Sequence, residues 1–248
     1  MVCWELLLFW QDGVVEGGIQ YFWIPEDRYL QLNLCNVRDG LEQALTEWMA
    51  MLAEDFSGYT LYAGFPGENG AAVRFLEDNG FQCIESDWNH SFFFDNYEMG
   101  EAVAQVSQIR QDNFDDLRAV YRPDEMTYWT CDRILESLDD WHIYMFYEYD
   151  QPLGTIFLQG DDGYYEIFGM ELADSACQEK IRREEICRAL LRTALNECKK
   201  AGAKYLTYLC GEELRTIVSE LGFRCVGQYV CYIKEIEDRY ILHELKER

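Results

Sequence analysis

The chain is short of basic residues. Its 248 residues include 21 Lys and Arg against 46 Asp and Glu, which gives a formal net charge of −25. A protein that binds nucleic acid needs a basic face whose phosphate contacts release counterions, and docking on an anionic membrane needs basic residues as well. We therefore expect neither nucleic acid nor a membrane surface among the partners, while a cationic substrate is compatible with the charge.

Long apolar runs and histidines are scarce too. No run reaches the ~18 apolar residues that a membrane-spanning helix needs. Residues 1–10 are apolar but lack the basic start and the cleavage site of a signal peptide, so they predict a strand. His90, His142 and His243 are too scattered in the sequence to predict a metal site or a catalytic triad.

Cysteine is plentiful, but the spacings of a disulfide framework or a zinc site are missing. The ten cysteines include no CxxC pair and no Cys/His cluster. Most of them lie in apolar runs, as Cys35 and Cys210 do, which is typical of buried free thiols in a reducing compartment. We therefore expect a cytoplasmic protein.

The apolar content predicts a folded chain in spite of the charge. Hydrophobic residues make up 49% of the sequence and aromatic residues 15%, well above a disordered acidic segment. At ~150 residues per domain the length predicts one large domain or two small ones.

The first part of the chain predicts three strands, a helix, a fourth strand over 59–63 and a second helix. Residues 3–10 and 18–24 flank a Gln-Asp-Gly turn and predict a hairpin. Alternating leucines predict a third strand over 28–35. The apolar period then changes to that of a helix over 39–54, and a second helix over 71–78 ends at Asn-Gly.

A linker separates this part from a second one. Short strands over 81–84 and 91–94 are followed by a polar stretch at 95–101. The second part contains a strong helix over 184–200 and ends in a strand pair within 223–233. We expect three regions: a domain of residues 1–95, a domain of residues 102–235 and a helical extension of residues 236–248.

The two domains repeat each other in sequence. Residues 79–83, Asn-Gly-Phe-Gln-Cys, match residues 221–225, Leu-Gly-Phe-Arg-Cys. An Ala-Leu pair recurs in both long helices, and Tyr62 matches Tyr208. Similar offsets in the same order of elements predict a tandem duplication.

The second domain resembles the GNAT acetyltransferase superfamily over roughly 103–234. Residues 185–191 resemble the segment that opens the family's helix after a central strand, and residues 217–223 resemble its late helix running into Gly-Phe. The first domain resembles only the later part of that fold, without its first strand and two helices. The resemblance implies an α/β (α+β) protein built from two GNAT-like mixed-sheet units with flanking helices.

The family's pyrophosphate-binding pattern, Q/R-x-x-G-x-G/A, falls on residues 182–187. It implies that backbone N–H groups at a helix N-terminus hold the pyrophosphate of acetyl-CoA. The Arg position is kept, but Glu185 and Cys187 fill the glycine positions, and the corresponding run at 38–41 is too short to predict a site. The implied pyrophosphate contacts are Arg182, Arg183, Ile186, Cys187 and Arg188. Pantetheine would pair with the backbone of Gly169, Met170, Glu171 and Leu172.

A concentration of basic residues supports an anionic cofactor in this region. Eight of the 21 fall between positions 180 and 204, where the resemblance places the CoA phosphates. The alternative is a mixed-charge solvated helix face, because glutamates lie among them. The eight residues are Lys180, Arg182, Arg183, Arg188, Arg192, Lys199, Lys200 and Lys204.

The resemblance places the general base on the strand predicted over 164–172. Glu166 and Glu171 are its carboxylates, and in a regular strand a spacing of five puts them on opposite faces. Only one then faces the cleft unless a bulge intervenes, and the alternative for each is a surface glutamate. The family's late-helix Tyr is replaced by Val218. An exposed Cys187 would have a lowered thiol pKa at the helix start.

These observations favour an N-acetyltransferase that moves an acetyl group from acetyl-CoA to a small, cationic amine. The alternative is a non-catalytic GNAT-like module that binds a ligand or partner, since residues useful to catalysis are replaced. The charged helix predicted over 235–248 leaves a homodimer open as a third possibility.

Overall fold

The computed structural model describes residues 1–37, 42–123, 127–177 and 179–237. The chain forms two compact units, Met1–Ser86 with the residues from Gln228 onward, and Asp87–Gly227. The strands and helices, in chain order, are β1 Cys3–Gln11, β2 Val14–Ile24, β3 Tyr29–Val37, α1 Glu42–Asp55, β4 Thr60–Pro66, α2 Gly70–Asp78, β5 Gln82–Phe93, β6 Val106–Gln108, α3 Phe114–Val120, α4 Cys131–Glu136, β7 His142–Glu148, β8 Gln151–Asp161, β9 Tyr164–Leu172, α5 Lys180–Lys200, β10 Tyr205–Cys210, α6 Arg215–Glu220 and β11 Arg224–Glu235.

The first unit is a mixed sheet packed against helices. β1, β2 and β3 form an antiparallel meander, β3 pairs in parallel with β4, and β4 pairs antiparallel with residues 229–235 of β11. Trp48 and Leu52 of α1 lie in one core with Ile19, Leu30 and Leu61 of the sheet. The apolar period of α1 buries one helix face on one face of the sheet.

The second unit carries apolar cores on both faces of its sheet. β6, β7, β8 and β9 are antiparallel, β9 is parallel to β10, and β10 pairs with residues 88–93 of β5. On one face α5 buries Ile186, Leu190 and Leu195 against the sheet. On the other face α3 and α4 cover Ile143 and Phe157. We call these the α5 face and the α3/α4 face.

Two long strands replace the short strand pairs that the sequence predicted. β5 is continuous over Gln82–Phe93, and β11 is continuous over Arg224–Glu235. Each strand begins in one unit and ends in the other, because the units divide within them, at Ser86 and at Gly227. The compact units therefore divide inside these strands, and the linker over 95–101 stays a prediction.

The described residues hold no helix that is both long and apolar enough to cross a membrane. Helix α1 begins at Glu42, and the start predicted at residue 39 lies outside the described residues. The same holds for the run at 38–41 and for residues 238–248 of the predicted extension. Within the described chain all ten cysteines are free thiols.

Candidate active site

The central strands of the second unit part halfway along their length. β9 and β10 pair in parallel from Tyr164 with Tyr205 to Ile167 with Tyr208. β9 then continues to Leu172 and β10 to Cys210, and no further pairing joins these described segments. The edge of β9 from Phe168 to Leu172 thus has backbone groups free to pair with a bound molecule.

A bulge in β9 places both candidate carboxylates on the α3/α4 face. The register with β8 shifts at Phe168, which is the extra residue. Ile167 lies in the core of the α5 face, while the ring of Phe168 lies 5.3 Å from that of Trp141 on the α3/α4 face. Met170 packs back on the α5 face, so Glu171 points, like Glu166, to the α3/α4 face.

Of the two candidate carboxylates, Glu166 lies nearer to the parting of the strands. It pairs with Thr207, one step before the last parallel pair. Its side chain is half-buried, and burial raises the pKa of its carboxyl above the ordinary value for glutamate. A carboxylate with a raised pKa beside an open strand edge is suited to accept a proton.

Glu166 also lines a cleft of about 690 Å³ on this face. That volume lies within the range of small-molecule sites. No Lys or Arg lines the cleft within the described chain, so its field is negative and favours a cation. Its acidic lining consists of Asp139, Asp140, Asp161 and Glu166.

Aromatic rings form a second part of the cleft wall. Tyr205 is fixed by a hydrogen bond of 2.6 Å between its hydroxyl and that of Ser91. Phe168 contacts Trp141 edge-on. Ring faces attract a cation through their quadrupoles, so the wall can bind the same charge as the carboxylates. Tyr164, Tyr165 and His142 complete this lining.

Glu171 is the weaker candidate for the base. Desolvation raises the pKa of its carboxyl too, but the side chain is exposed to solvent. Five residues of strand separate it from Glu166 by ~16 Å along the chain. Glu171 does not line the 690 Å³ cleft. Glu166 is therefore the one of the two carboxylates that lies both beside the parting and in the cleft.

The predicted pyrophosphate segment lies inside a helix. α5 begins at Lys180, with the Arg183 N–H already donating to the Glu179 carbonyl at 2.9 Å. The amides of Ile186, Cys187 and Arg188 are therefore used by the helix and cannot cradle a phosphate. Without the two glycines nothing stops the helix from starting early. The N–H groups that have no partner within α5 are those of its first turn, residues 180–182.

Most of the basic residues on α5 are paired with glutamates. Arg182 forms ion pairs with Glu148 and Glu185, and Arg188 forms ion pairs with Glu184 and Glu220. The 21 residues of α5 extend for about 30 Å, so the basic residues do not form one island. Arg183 has no ion pair within the described part of the chain and remains free to bind an anion at the helix start.

Two further expectations are corrected by burial. Cys187 is 2% exposed, and burial raises the pKa of its thiol to about 11, so it is not an activated thiol. Ile186 is fully buried as a core residue. Val218 is also fully buried, and α6 offers no acidic hydroxyl at that position.

The acidic rim of the cleft was missed in the sequence. Asp139 and Asp140 end a short 3-10 turn before β7, and Asp161 ends β8. Each of them is an ordinary turn residue by its local pattern. Only the antiparallel register of β7, β8 and β9 brings His142, Gln159 and Glu166 to one end of the sheet. The signal that the sequence does offer for an acidic cleft is the clustering of aspartates beside two strand ends, the start of β7 and the end of β8.

Comparison with known proteins places the fold. No protein-family model and no curated protein matches the chain. A GCN5-related N-acetyltransferase from Sphaerobacter thermophilus is similar with a TM-score of 0.64 at 15% identity, covering 91% of this chain and 78% of that one.

Two more solved structures show the same likeness. A tandem GNAT protein from the clavulanic acid biosynthesis pathway has a TM-score of 0.56 at 12% identity, covering 95% of this chain and 83% of that one. Saccharomyces cerevisiae N-myristoyltransferase with bound myristoyl-CoA has a TM-score of 0.56 at 9% identity, covering 91% of this chain and 64% of that one. At such identities the likeness is one of fold.

Proposed function

Because the chain has the GNAT fold, we propose that it is an acyltransferase whose second unit moves an acetyl group from acetyl-CoA to a small cationic amine. One observation carries the proposal. Glu166, a half-buried carboxylate with a raised pKa, lies where β9 and β10 part and lines an acidic cleft. An open strand edge, a base and a cation-binding cleft thus meet at one place.

The cleft selects the acceptor by charge. An amine that carries a second cationic group binds with that group among Asp139, Asp140 and Asp161, and with its alkyl chain along the tyrosine rings. Binding at the far carboxylates leaves the reacting nitrogen at Glu166. A neutral amine of the same length lacks the first interaction and should bind more weakly.

Glu166 removes the proton that blocks the reaction. The amine arrives as an ammonium ion and must lose one proton before its lone pair can attack. The raised pKa of Glu166 brings its carboxylate nearer to the working pH, which makes it a stronger base than an exposed glutamate. The thioester of the donor supplies the activated acyl group.

The residues present fit the pantetheine arm of the donor and not the family's phosphate pattern. The free edge of β9 can pair with the amide groups of pantetheine through Gly169, Met170, Glu171 and Leu172. Gly169 suits this place because a Cβ there would lie 2.3 Å from the Phe157 ring. Arg183 and the free amides of residues 180–182 are our candidates for phosphate contacts.

We also infer that the chain arose by tandem duplication. In both units the central parallel pairing stops after four residue pairs, at Leu32 with Ala63 and at Ile167 with Tyr208. In both units the bulged extra residue follows at once, Asn33 in β3 and Phe168 in β9.

The free thiols support a reducing, cytoplasmic location.

A non-catalytic binding module is the second candidate. It is favoured by the helical segment over 182–187, whose amides are not available, and by the buried Val218. Such a protein would keep the cleft as a binding site for a cation and transfer no acyl group.

Two measurements test the proposed function. Calorimetric titration with acetyl-CoA should show binding, and a panel of amines should release CoA thiol, with diamines reacting faster than neutral amines.

Asp140→Asn should raise KM for a diamine by about 10-fold with little change in kcat, because it weakens binding alone. Asp162→Asn is the matched control, since Asp162 lies in the adjacent turn and outside the cleft lining.

The outcomes separate the two candidates. Binding of acetyl-CoA with turnover that depends on Asp140 supports the transferase. Diamine binding without turnover, for every acyl-CoA tried, supports the binding module. Absence of acetyl-CoA binding at millimolar ligand overturns the transferase proposal.

A further inference from the structure

A stripe of large apolar side chains is exposed on the first strand of the chain. Trp4, Leu6, Leu8 and Trp10 alternate along β1 and are 68%, 50%, 47% and 64% exposed. The residues between them point to the other face, where Leu7 and Phe9 pack on the core of the first unit. We call these four residues the β1 stripe.

The second unit has the same stripe, but there it is buried. Phe9 pairs with Gly17 and Phe146 pairs with Gly154, in each case directly before a bulge. This register makes Trp4, Leu6 and Leu8 the counterparts of three β7-region residues that are at most 3% exposed. These are Trp141, Ile143 and Met145, which lie under α3 and α4 in the core of the α3/α4 face.

The surface beside the β1 stripe is large and uncharged. Its partners on β2 are Phe22, Gln20, Gly18 and Val15, none of which is charged in a chain of net charge −25. With Val15 and Leu34, also exposed, the stripe presents on the order of 600 Å² of apolar surface, against ~800 Å² per partner in a standard interface. Exposed patches of that size mark interaction sites.

We propose that the β1 stripe is the contact surface of a homodimer, in which two copies pack these sheet faces together. A two-fold axis makes the surface its own complement, with Trp4 of one copy against Trp10 of the other. Stacked sheets ~10 Å apart interdigitate such side chains. The β1 stripe and its partners on β2 carry no carboxylate, so their contact places no unpaired charge at its centre.

Charge determines how the dimer responds to salt. Two copies of net charge −25 repel each other through solvent, and salt screens that repulsion. The apolar contact itself is not weakened by salt. The dimer should therefore become tighter as ionic strength rises, whereas a dimer held by surface ion pairs would become weaker.

Sedimentation equilibrium of the full chain tests the proposal. The wild type should be a dimer at micromolar concentration, and Leu6→Glu or Leu8→Glu should weaken the dimer by at least about 100-fold, because each places a carboxylate in the contact of both copies. Both positions are about half exposed, so the folded monomer tolerates the change. Trp4→Ser is a second variant that adds no charge and should also weaken the dimer.

Met99→Glu is the matched control. Met99 is 52% exposed in the second unit, so the substitution changes net charge equally and should leave the dimer intact. A monomeric wild type overturns the proposal, and binding of that monomer to phosphatidylcholine vesicles would assign the stripe to lipid. A dimer that resists Leu6→Glu and Leu8→Glu, or that weakens with salt, overturns it as well. None of these outcomes depends on acyl transfer.

Discussion

The two units share one pattern of strand pairing but carry different side chains at corresponding positions. Their bulges and the ends of their parallel pairing fall at corresponding positions. By this correspondence Gln31 of the first unit is equivalent to Glu166 of the second, and Asn36 is equivalent to Glu171. Where the second unit carries carboxylates, the first carries amides, and Gln31 nearly matches Glu166 in shape. The amides cannot take a proton from an amine at neutral pH, so the first unit lacks the proposed base.

The shared backbone of the two units does not by itself determine where a titratable side chain lies beside the parting of the strands. A parting of two strands exists in both units, and in the second unit the described residues combine it with a titratable side chain and an acidic cleft. The second unit also covers its outer face with α3 and α4, whereas the matching face of the first unit is exposed. We infer one unit for catalysis and one for association.

The largest effect is expected on kcat, when the corresponding residues Glu166 of the second unit and Gln31 of the first are substituted. Glu166→Gln should lower kcat by about 100-fold to 10,000-fold, the usual contribution of a general base, and should leave KM for the amine within a few-fold. Gln31→Ala, at the corresponding position of the first unit, should leave kcat unchanged. Steady-state kinetics with the best amine of the panel measures both.

The pH profile sharpens that result. In the wild type, kcat/KM should rise with pH through the raised pKa of Glu166 and then level off, since the base must be ionised. The variant should lose this acidic limb. Equal loss of activity in Glu166→Gln and Gln31→Ala would contradict the assignment of catalysis to the second unit.

The next effect separates the units by stability. Trp141→Ala should lower the free energy of unfolding by about 3–5 kcal/mol, because it leaves a cavity among Trp129, Phe157 and Phe168. Trp4→Ala should change it by less than ~0.5 kcal/mol in the monomer, since Trp4 is 68% exposed. Urea unfolding of dilute protein gives both values, and similar losses would mean that Trp4 is covered.

Much of the architecture followed from local sequence patterns. Strand-like apolar runs beside turns predicted β1 and β9, alternating leucines predicted β3, and the 3.6-residue period predicted α1 and most of α5. The fold class and the likeness to the GNAT fold are confirmed by the structure and the comparisons. These features could be predicted because each depends on residues close together in the chain.

The rest depends on pairing between distant residues. The bulge at Phe168 has no local signature, so the common orientation of Glu166 and Glu171 could not be predicted. Asp140 reaches the cleft only through the register of β7. The predicted break inside residues 81–94 was wrong because Trp88 and Asn89 continue the strand by pairing with Cys210 and Leu209 of β10.

A smaller effect is expected at the bulge itself. Gly169→Ala should cost about 1–3 kcal/mol, because the new Cβ would meet the Phe157 ring, which is buried in the α3/α4 core and cannot withdraw. The register places Leu34 at the corresponding position of the first unit, and it is exposed, so Leu34→Ala should be close to neutral in the monomer. Chemical denaturation compares them, and a neutral Gly169→Ala would show that Phe157 can move.

The smallest effect comes from the ionisation of Glu166. Because burial raises its folded-state pKa, the folded chain holds the proton more tightly than the unfolded chain does. This contribution is present below the ordinary glutamate pKa and is lost as pH rises through the folded-state pKa. At neutral pH, Glu166→Gln should therefore raise Tm, at ~2–4 °C per kcal/mol for a chain of this size, and at low pH the two proteins should melt alike.

Gln31→Glu makes the reverse comparison in the first unit, since it adds the carboxylate that this unit lacks. If Glu166→Gln lowers Tm at neutral pH, the side chain stabilises the fold as an anion, and its proposed readiness to take a proton is wrong.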